Sequence, residues 1–226
     1  MFRSILVPLD RTPAAEQALP YAVAVARRAD ATVHLTQVHG LYELEELNPG
    51  HARYLPERDA ALRQQEALYL DATAKWLAAE GRVAVAAGTP AGTAVLPDTE
   101  AEHIVAEAKA VRADLIVMAT RKRGPVGTVV FGGHVRYVVR QAGIPVLLVR
   151  VCEGETSPGL GAEPAADDVI VPLDGSSLAE SIMPAAVALA SLTAGRCTLL
   201  RVAEPDAVAD AEAYLHGVAG RARRDG

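Results

Sequence analysis

The chain has 226 residues, 50% of them hydrophobic and 22% charged, with 28 acidic residues against 22 basic ones for a formal net charge of −6. That much apolar surface builds a core and excludes a disordered chain, and the acidic balance gives no long-range attraction to nucleic acid or to an anionic membrane. The two cysteines, Cys152 and Cys197, stand in no CxxC or Cys/His spacing, which argues against a disulfide framework or a zinc site.

Ile5 to Leu9 is a short apolar run closed by Asp10 and Thr12-Pro13, the pattern of a buried strand followed by a helix start. Thr12 suits an N-cap and Pro13 the first helical position, whose N–H has no helical partner anyway. An alanine-rich helix is expected from Ala14 to Ala29, kinked or started late at Pro20. Thr32 to Val38 alternates as a second strand. Gly40 to Pro56 is polar and turn-rich, and Glu57 to Glu80 is a long amphipathic helix that Gly81 caps. Val83 to Ala87 reads as a third strand, Glu100 to Val111 as a helix, and Asp114 to Met118 as a strongly buried fourth strand. Glycines and basic residues run from Arg121 to Gly133, a helix follows from about His134 to Gln141, and Pro145 to Arg150 forms the fifth strand. Strands alternating with helices predict a mainly parallel sheet covered on both faces.

The stretch Glu153 to Asp168 is rich in Gly, Pro, Ser and acidic residues and reads as a linker. Beyond it the opening recurs. Leu6-Val7-Pro8-Leu9-Asp10 returns as Ile170-Val171-Pro172-Leu173-Asp174, and the same offset of 164 residues matches Ala15-Glu16 with Ala179-Glu180, Pro20 with Pro184, Leu35 with Leu199 and Val38 with Val202. This predicts a duplicate of the first strand, helix and strand, followed by a helical stretch from Ala207 to Arg223. Counterparts of the third, fourth and fifth strands are missing. The expected division is a first domain at 1–151, a linker at 152–166 and a truncated second copy at 167–226.

In an open parallel sheet, ligands sit beyond the carboxyl ends of the strands, where the winding direction reverses. Asp10 ends strand one, Val38-His39 ends strand two and Met118 to Arg123 ends strand four, so these three ends are expected to share a crevice. A carboxylate there can accept from an adenine amine or a ribose hydroxyl; the alternative is that Asp10 only caps the next helix. His134 follows Gly132-Gly133 at a helix start, where a cation is disfavoured, and reads as a surface residue or a neutral donor. No Gly-Lys-Ser/Thr, no GxGxxG after strand one, no GxSxG and no HExxH occurs, so neither nucleophilic catalysis nor a side-chain metal site has a candidate.

The opening Ile5-Leu-Val-Pro-Leu-Asp10, the Asp114-Leu-Ile-Val-Met-Ala-Thr120 strand and the closing Ile144-Pro-Val-Leu-Leu-Val149 strand resemble the universal stress protein family, of the adenine nucleotide α-hydrolase-like superfamily. The resemblance covers about residues 1–151 in full and 167–226 as a truncated copy. It implies a Rossmann-like three-layer α/β sandwich with a five-stranded sheet, and an adenine nucleotide, ATP with Mg, held by Pro8, Leu9, Asp10, Val38 and Met118 on the base and ribose side. ATP-binding members carry Gly, two residues, Gly, nine residues, Gly, then Ser or Thr. Here Ala119, Lys122, Gly132 and Gly133 stand at those places, and Gly132 alone matches strictly. Lys122 costs about 1 kcal/mol or more if its position needs a positive φ. Gly133 lacks the phosphate-facing hydroxyl but keeps an amide at a helix start. Arg121, Lys122 and Arg123 bring three positive charges to the same loop.

The implied function is a cytoplasmic stress-response protein that binds adenine nucleotide and signals through conformation or an unidentified protein partner, with at most slow, incidental ATP turnover. The alternative is a dimerising interaction module that binds no nucleotide; a nucleotide-cleaving enzyme is a weaker third reading. Strand 145–150 is expected at a sheet edge, pairing two chains into a homodimer. Neither nucleic acid nor membrane is an expected partner, since no run reaches the roughly 18 apolar residues a spanning helix needs and the amino terminus lacks the apolar core of a signal peptide.

Overall fold

The computed structural model describes residues 2–37, 45–46, 52–53, 56–88, 100–121, 133–151, 159–160 and 168–225. In chain order the elements are β1 (Ser4–Pro8), α1 (Pro13–Glu16), α2 (Leu19–Ala29), β2 (Thr32–Thr36), β3 (Glu45–Glu46), β4 (Ala52–Arg53), α3 (Pro56–Gly81), β5 (Ala84–Gly88), α4 (Glu100–Ala110), β6 (Leu115–Arg121), α5 (Gly133–Gln141), β7 (Val146–Val151), β8 (Asp168–Pro172), α6 (Ser177–Glu180), α7 (Met183–Thr193), β9 (Arg196–Leu200) and α8 (Val208–Asp225). They fall into two compact units, Phe2–Glu163 and Pro164–Gly226.

The first unit is built on a five-stranded sheet in the order β5-β2-β1-β6-β7, parallel at every pairing. The chain winds outward from β1 through β2 to β5, crosses back to β6 on the other side of β1, and ends at β7 on the far edge. Alternation along the strands sends Leu6, Ile116 and Met118 into one core with Ala101, Ile104, Val105 and Ala108 of α4 and Val135 and Val138 of α5. Ile5, Leu6, Val7, Val33 and Ile116 are all fully buried, because both faces of a parallel sheet are covered. Asp114 fastens the start of β6 to β1: its carboxylate accepts from the amides of Arg3 (2.7 Å) and Ser4 (3.2 Å).

The expected first helix is two helices. Thr12 is the N-cap of α1, its hydroxyl accepting from the Ala15 amide, and Pro13 follows as expected. Pro20 has no N–H to give the preceding turn, so the chain breaks at Gln17-Ala18 and restarts as α2. The long helix α3 buries Glu66, Leu70, Thr73, Leu77 and Gly81, a stripe at spacings of three and four. Gly81 is not its left-handed cap. Arg82 takes that conformation, at φ 51°, and Gly81 is small for another reason: a Cβ there would lie 3.2 Å from Val23 Cγ1 of α2. The last α3 carbonyl accepts from Arg27 Nε and Nη2 of α2, and Nη2 also reaches the Leu160 carbonyl at 3.1 Å. Inside the stretch read as turns, β3 and β4 form a two-residue antiparallel pair.

The second unit holds the parallel pair β8–β9. Its register repeats that of β1–β2 at the offset of 164 residues: Ser4↔Thr32 becomes Asp168↔Arg196, and Pro8↔Thr36 becomes Pro172↔Leu200. One face is covered, with Val171, Leu173, Met183, Ala186 and Val218 buried together. A 3-10 turn at Pro205–Ala207 leads into α8.

Candidate functional site

The sheet opens where β1 and β6 separate. β1 pairs with β2 through Pro8↔Thr36, and the Leu9 amide continues that ladder to the Thr36 carbonyl at 2.8 Å. Toward β6 the pairing stops at Leu6↔Ile116. The alternation explains why. Arg3 and Leu9 direct their backbone groups to β2, and Ser4 directs its own to β6, so the even-numbered residues face β6 and Pro8 is where a donor toward β6 would be needed. Proline has none. β6 meanwhile stays paired with β7 as far as Arg121↔Val151. The gap lies at the reversal of winding, where open α/β sheets take ligands.

Asp10 stands at the rim, exposed. Its Oδ1 accepts from the Thr12 amide (2.9 Å) and the Thr12 hydroxyl, an arrangement that holds the carboxylate still while Thr12 caps α1 at Ala15 (3.2 Å). Arg11 between them is left-handed at φ 62°. Beside this turn the Tyr69 hydroxyl of α3 donates to Glu16 Oε1 of α1 at 2.8 Å. Burial first, then the Glu16 carboxylate, push the Tyr69 phenol well above its ordinary ionisation range, and the charge of Asp10 adds to the effect. Deeper in, Gln37 Nε2 at the end of β2 donates to Glu66 Oε1 of α3 at 3.3 Å, both side chains buried.

On the β6 side, Met118 is 7% exposed and packs into the core under α4 and α5, while Ala119 is half-buried. Arg121 is the last residue of β6. Gly133 opens α5, and among the described residues nothing lies within 4 Å of where its Cβ would stand. His134 does not stand free: its Nε2 lies 3.0 Å from Oε2 of Glu100, the first residue of α4, which ties together the starts of the two helices. Val38, Lys122 and Gly132 lie outside the described residues. Pro8, Leu9 and Asp10 thus come together at the separation of β1 from β6, and Gly133 and His134 sit at the start of the helix that follows β6.

Glu16, Tyr69, Gln37, Glu66 and Glu100 were not among the site candidates read from the sequence. An acid opening a helix marks a helix start, yet nothing local names His134 as its partner. Among the described residues no group of three His, Cys, Asp or Glu is placed to hold a metal ion, and no helix is long and apolar enough to cross a membrane.

The model of the universal stress protein family matches residues 1–150. No curated protein matches the chain. Among solved structures, a universal stress protein from Archaeoglobus fulgidus DSM 4304 superposes with a TM-score of 0.71 at 15% identity, over 96% of this chain and 74% of its own, which is a likeness of fold. A universal stress protein family member from Burkholderia pseudomallei is 26% identical over 66% of this chain and 96% of its own, with a TM-score of 0.47. The universal stress protein from Archaeoglobus fulgidus in complex with dAMP is 22% identical over 65% of this chain and 97% of its own, with a TM-score of 0.43. With two thirds of its length matched and the five-stranded parallel sheet in place, the chain belongs to the universal stress protein family.

Proposed function

We propose that the chain binds an adenine nucleotide, ATP as its Mg complex, at the carboxyl ends of β1 and β6, and acts in stress response through its conformation or a protein partner rather than through turnover. The observation that carries this reading is the separation of β1 from β6 beyond Leu6↔Ile116, with Asp10 fixed at its rim. Asp10 Oδ1 is given to the Thr12 turn, and Oδ2 is the oxygen for a ribose hydroxyl or an adenine amine. Pro8, Leu9, Val38 and Met118 flank the base. With no described residue within 4 Å of its Cβ position, Gly133 leaves the first amides of α5 for a phosphate oxygen, and Ala119, Arg121, Lys122 and Gly132 complete the phosphate side. His134, paired with Glu100 of α4, positions the start of α5 on the phosphate side.

The test is thermal unfolding with and without Mg-ATP. A ligand at about 100 times its dissociation constant stabilises the folded state by about 2.7 kcal/mol, so the melting point rises with nucleotide. An unchanged melting point at millimolar Mg-ATP overturns the reading.

A second reading, a dimerising module without nucleotide, draws on β7 standing at the edge of the sheet. An exposed edge strand is a template for pairing with another chain, and the departures at Ala119, Lys122 and Gly133 favour this reading. We also take residues 167–226 as a partial second copy of the first domain, joined by a linker at 152–166; the repeated register of β8–β9 supports it.

A further inference from the structure

We propose that Tyr69 is a positioning residue of the nucleotide site: through Glu16 it fastens the short helix α1 to α3, and α1 in turn holds the turn that fixes Asp10 at the rim of the crevice. The inference rests on the nucleotide reading above and names the residue that keeps that site in shape. An unbroken series of hydrogen bonds connects the two ends. The Tyr69 hydroxyl donates to Glu16 Oε1 at 2.8 Å, the Glu16 amide donates to the Thr12 carbonyl at 3.2 Å, and the Thr12 amide donates to Asp10 Oδ1 at 2.9 Å.

The turn needs such a hold. A helix of 4 residues is far below the length that its own hydrogen bonds sustain. Arg11, between Asp10 and Thr12, is left-handed at φ 62°, a strain that persists only where the surroundings fix it. The Thr12 cap holds the front of α1. Of its residues Pro13, Ala14, Ala15 and Glu16, only Glu16 has a side chain that can bond beyond the helix, and Tyr69 meets it. The second unit repeats the device with other chemistry. Glu180 ends α6 at the place of Glu16, and it too is held from the long helix that follows: Arg221 Nη2 of α8 donates to Glu180 Oε2 at 2.8 Å. Tyr214-Leu215 of α8 repeats Tyr69-Leu70 of α3, with Tyr214 beside the same carboxylate and Arg201 4.8 Å from the centre of its ring. In both units, then, the helix start after the strand-end aspartate is tied at its last residue by a donor from the long helix.

The test is calorimetric titration of the full chain and of Tyr69→Phe with Mg-ATP, beside amide hydrogen exchange at Thr12 and Ala15 without nucleotide. Tyr69→Phe removes one oxygen and keeps the ring, so α3 stays packed. The expected result is Mg-ATP binding weakened about tenfold, the scale of one hydrogen bond to a charged group, with faster exchange at both amides. Glu16→Ala loses the same bond from the other side and is expected to match it, and the double variant to bind no more weakly than either single one. A residue that only stabilises the fold lowers the melting point and leaves the affinity as it was. No binding by the unaltered chain overturns the nucleotide reading and this role with it. Three results overturn the role alone: equal affinity in the unaltered chain and Tyr69→Phe, unchanged exchange at Thr12 and Ala15, or losses that multiply in the double variant.

Discussion

Arg11 and Gly175 occupy the same turn in the two units, Arg11 left-handed at φ 62° and Gly175 at φ 92°. Each is followed by an N-cap, Thr12 or Ser176, whose amide donates to the preceding aspartate, Asp10 at 2.9 Å or Asp174 at 2.8 Å. The Ser176 hydroxyl, and after it the Ser176 amide, hold the Asp174 carboxyl below its usual range. A side chain at positive φ costs about 1–2 kcal/mol, a strain that glycine does not carry. Arg11→Gly is therefore expected to stabilise the first unit by up to about 1 kcal/mol. Gly175→Ala is expected to destabilise the second by about the same amount, and through the backbone alone, since its Cβ would meet Arg201 no closer than 3.5 Å. Denaturant titration of each variant measures both, and a destabilised Arg11→Gly contradicts the argument.

Gly81 makes a prediction of a different kind. A valine there drives its side chain into Val23, which is fully buried, and is expected to cost about 2 kcal/mol. Val23→Ala in the same chain makes room, so the double variant loses less than the two single losses added together. Additive losses contradict the contact.

These two glycines mark where the sequence could be read and where it could not. Thr12-Pro13 names its own cap, Pro20 its own break, and the apolar runs of β1, β6 and β7 their place in a covered parallel sheet, because each signal is local. The size of Gly81 is set by a residue of α2 far away in the chain, so it looked like a helix cap. Two-residue strands such as Glu45–Glu46 and Ala52–Arg53 are too short to alternate. At the site, Asp10 was readable from its strand end, and its bond to Thr12 follows from the spacing. The Tyr69–Glu16 and His134–Glu100 pairs join separate elements and leave no trace in either element's own pattern.

His34 links stability to pH. Burial on β2 lowers its pKa below the ordinary 6.5, partly opposed by Glu107 of α4. In the interval between the lowered folded value and 6.5 the unfolded chain binds more protons, so stability falls as pH falls through that window. The melting point is expected to drop between about pH 7.5 and about pH 5.5, and to drop less in His34→Gln. Equal drops in both proteins contradict the assignment.

Gly133→Ser supplies a hydroxyl at the start of α5, where no described residue lies within 4 Å of the added Cβ. Its stability is expected to stay within about 0.5 kcal/mol of the unaltered chain, while Mg-ATP binds more tightly through the added donor. Unchanged affinity at unchanged stability would place the phosphates elsewhere.

Because Asp10 also holds Thr12, Asp10→Ala disturbs α1 as well as the crevice, whereas Asp10→Asn keeps an oxygen for the Thr12 amide and removes the charge. Calorimetric titration of the full chain and of Asp10→Asn with Mg-ATP is the decisive measurement. Micromolar binding in the unaltered chain that is lost in Asp10→Asn, with both proteins melting alike, is the predicted result. No heat at millimolar nucleotide, or equal binding by both proteins, would contradict a nucleotide site at the carboxyl ends of β1 and β6.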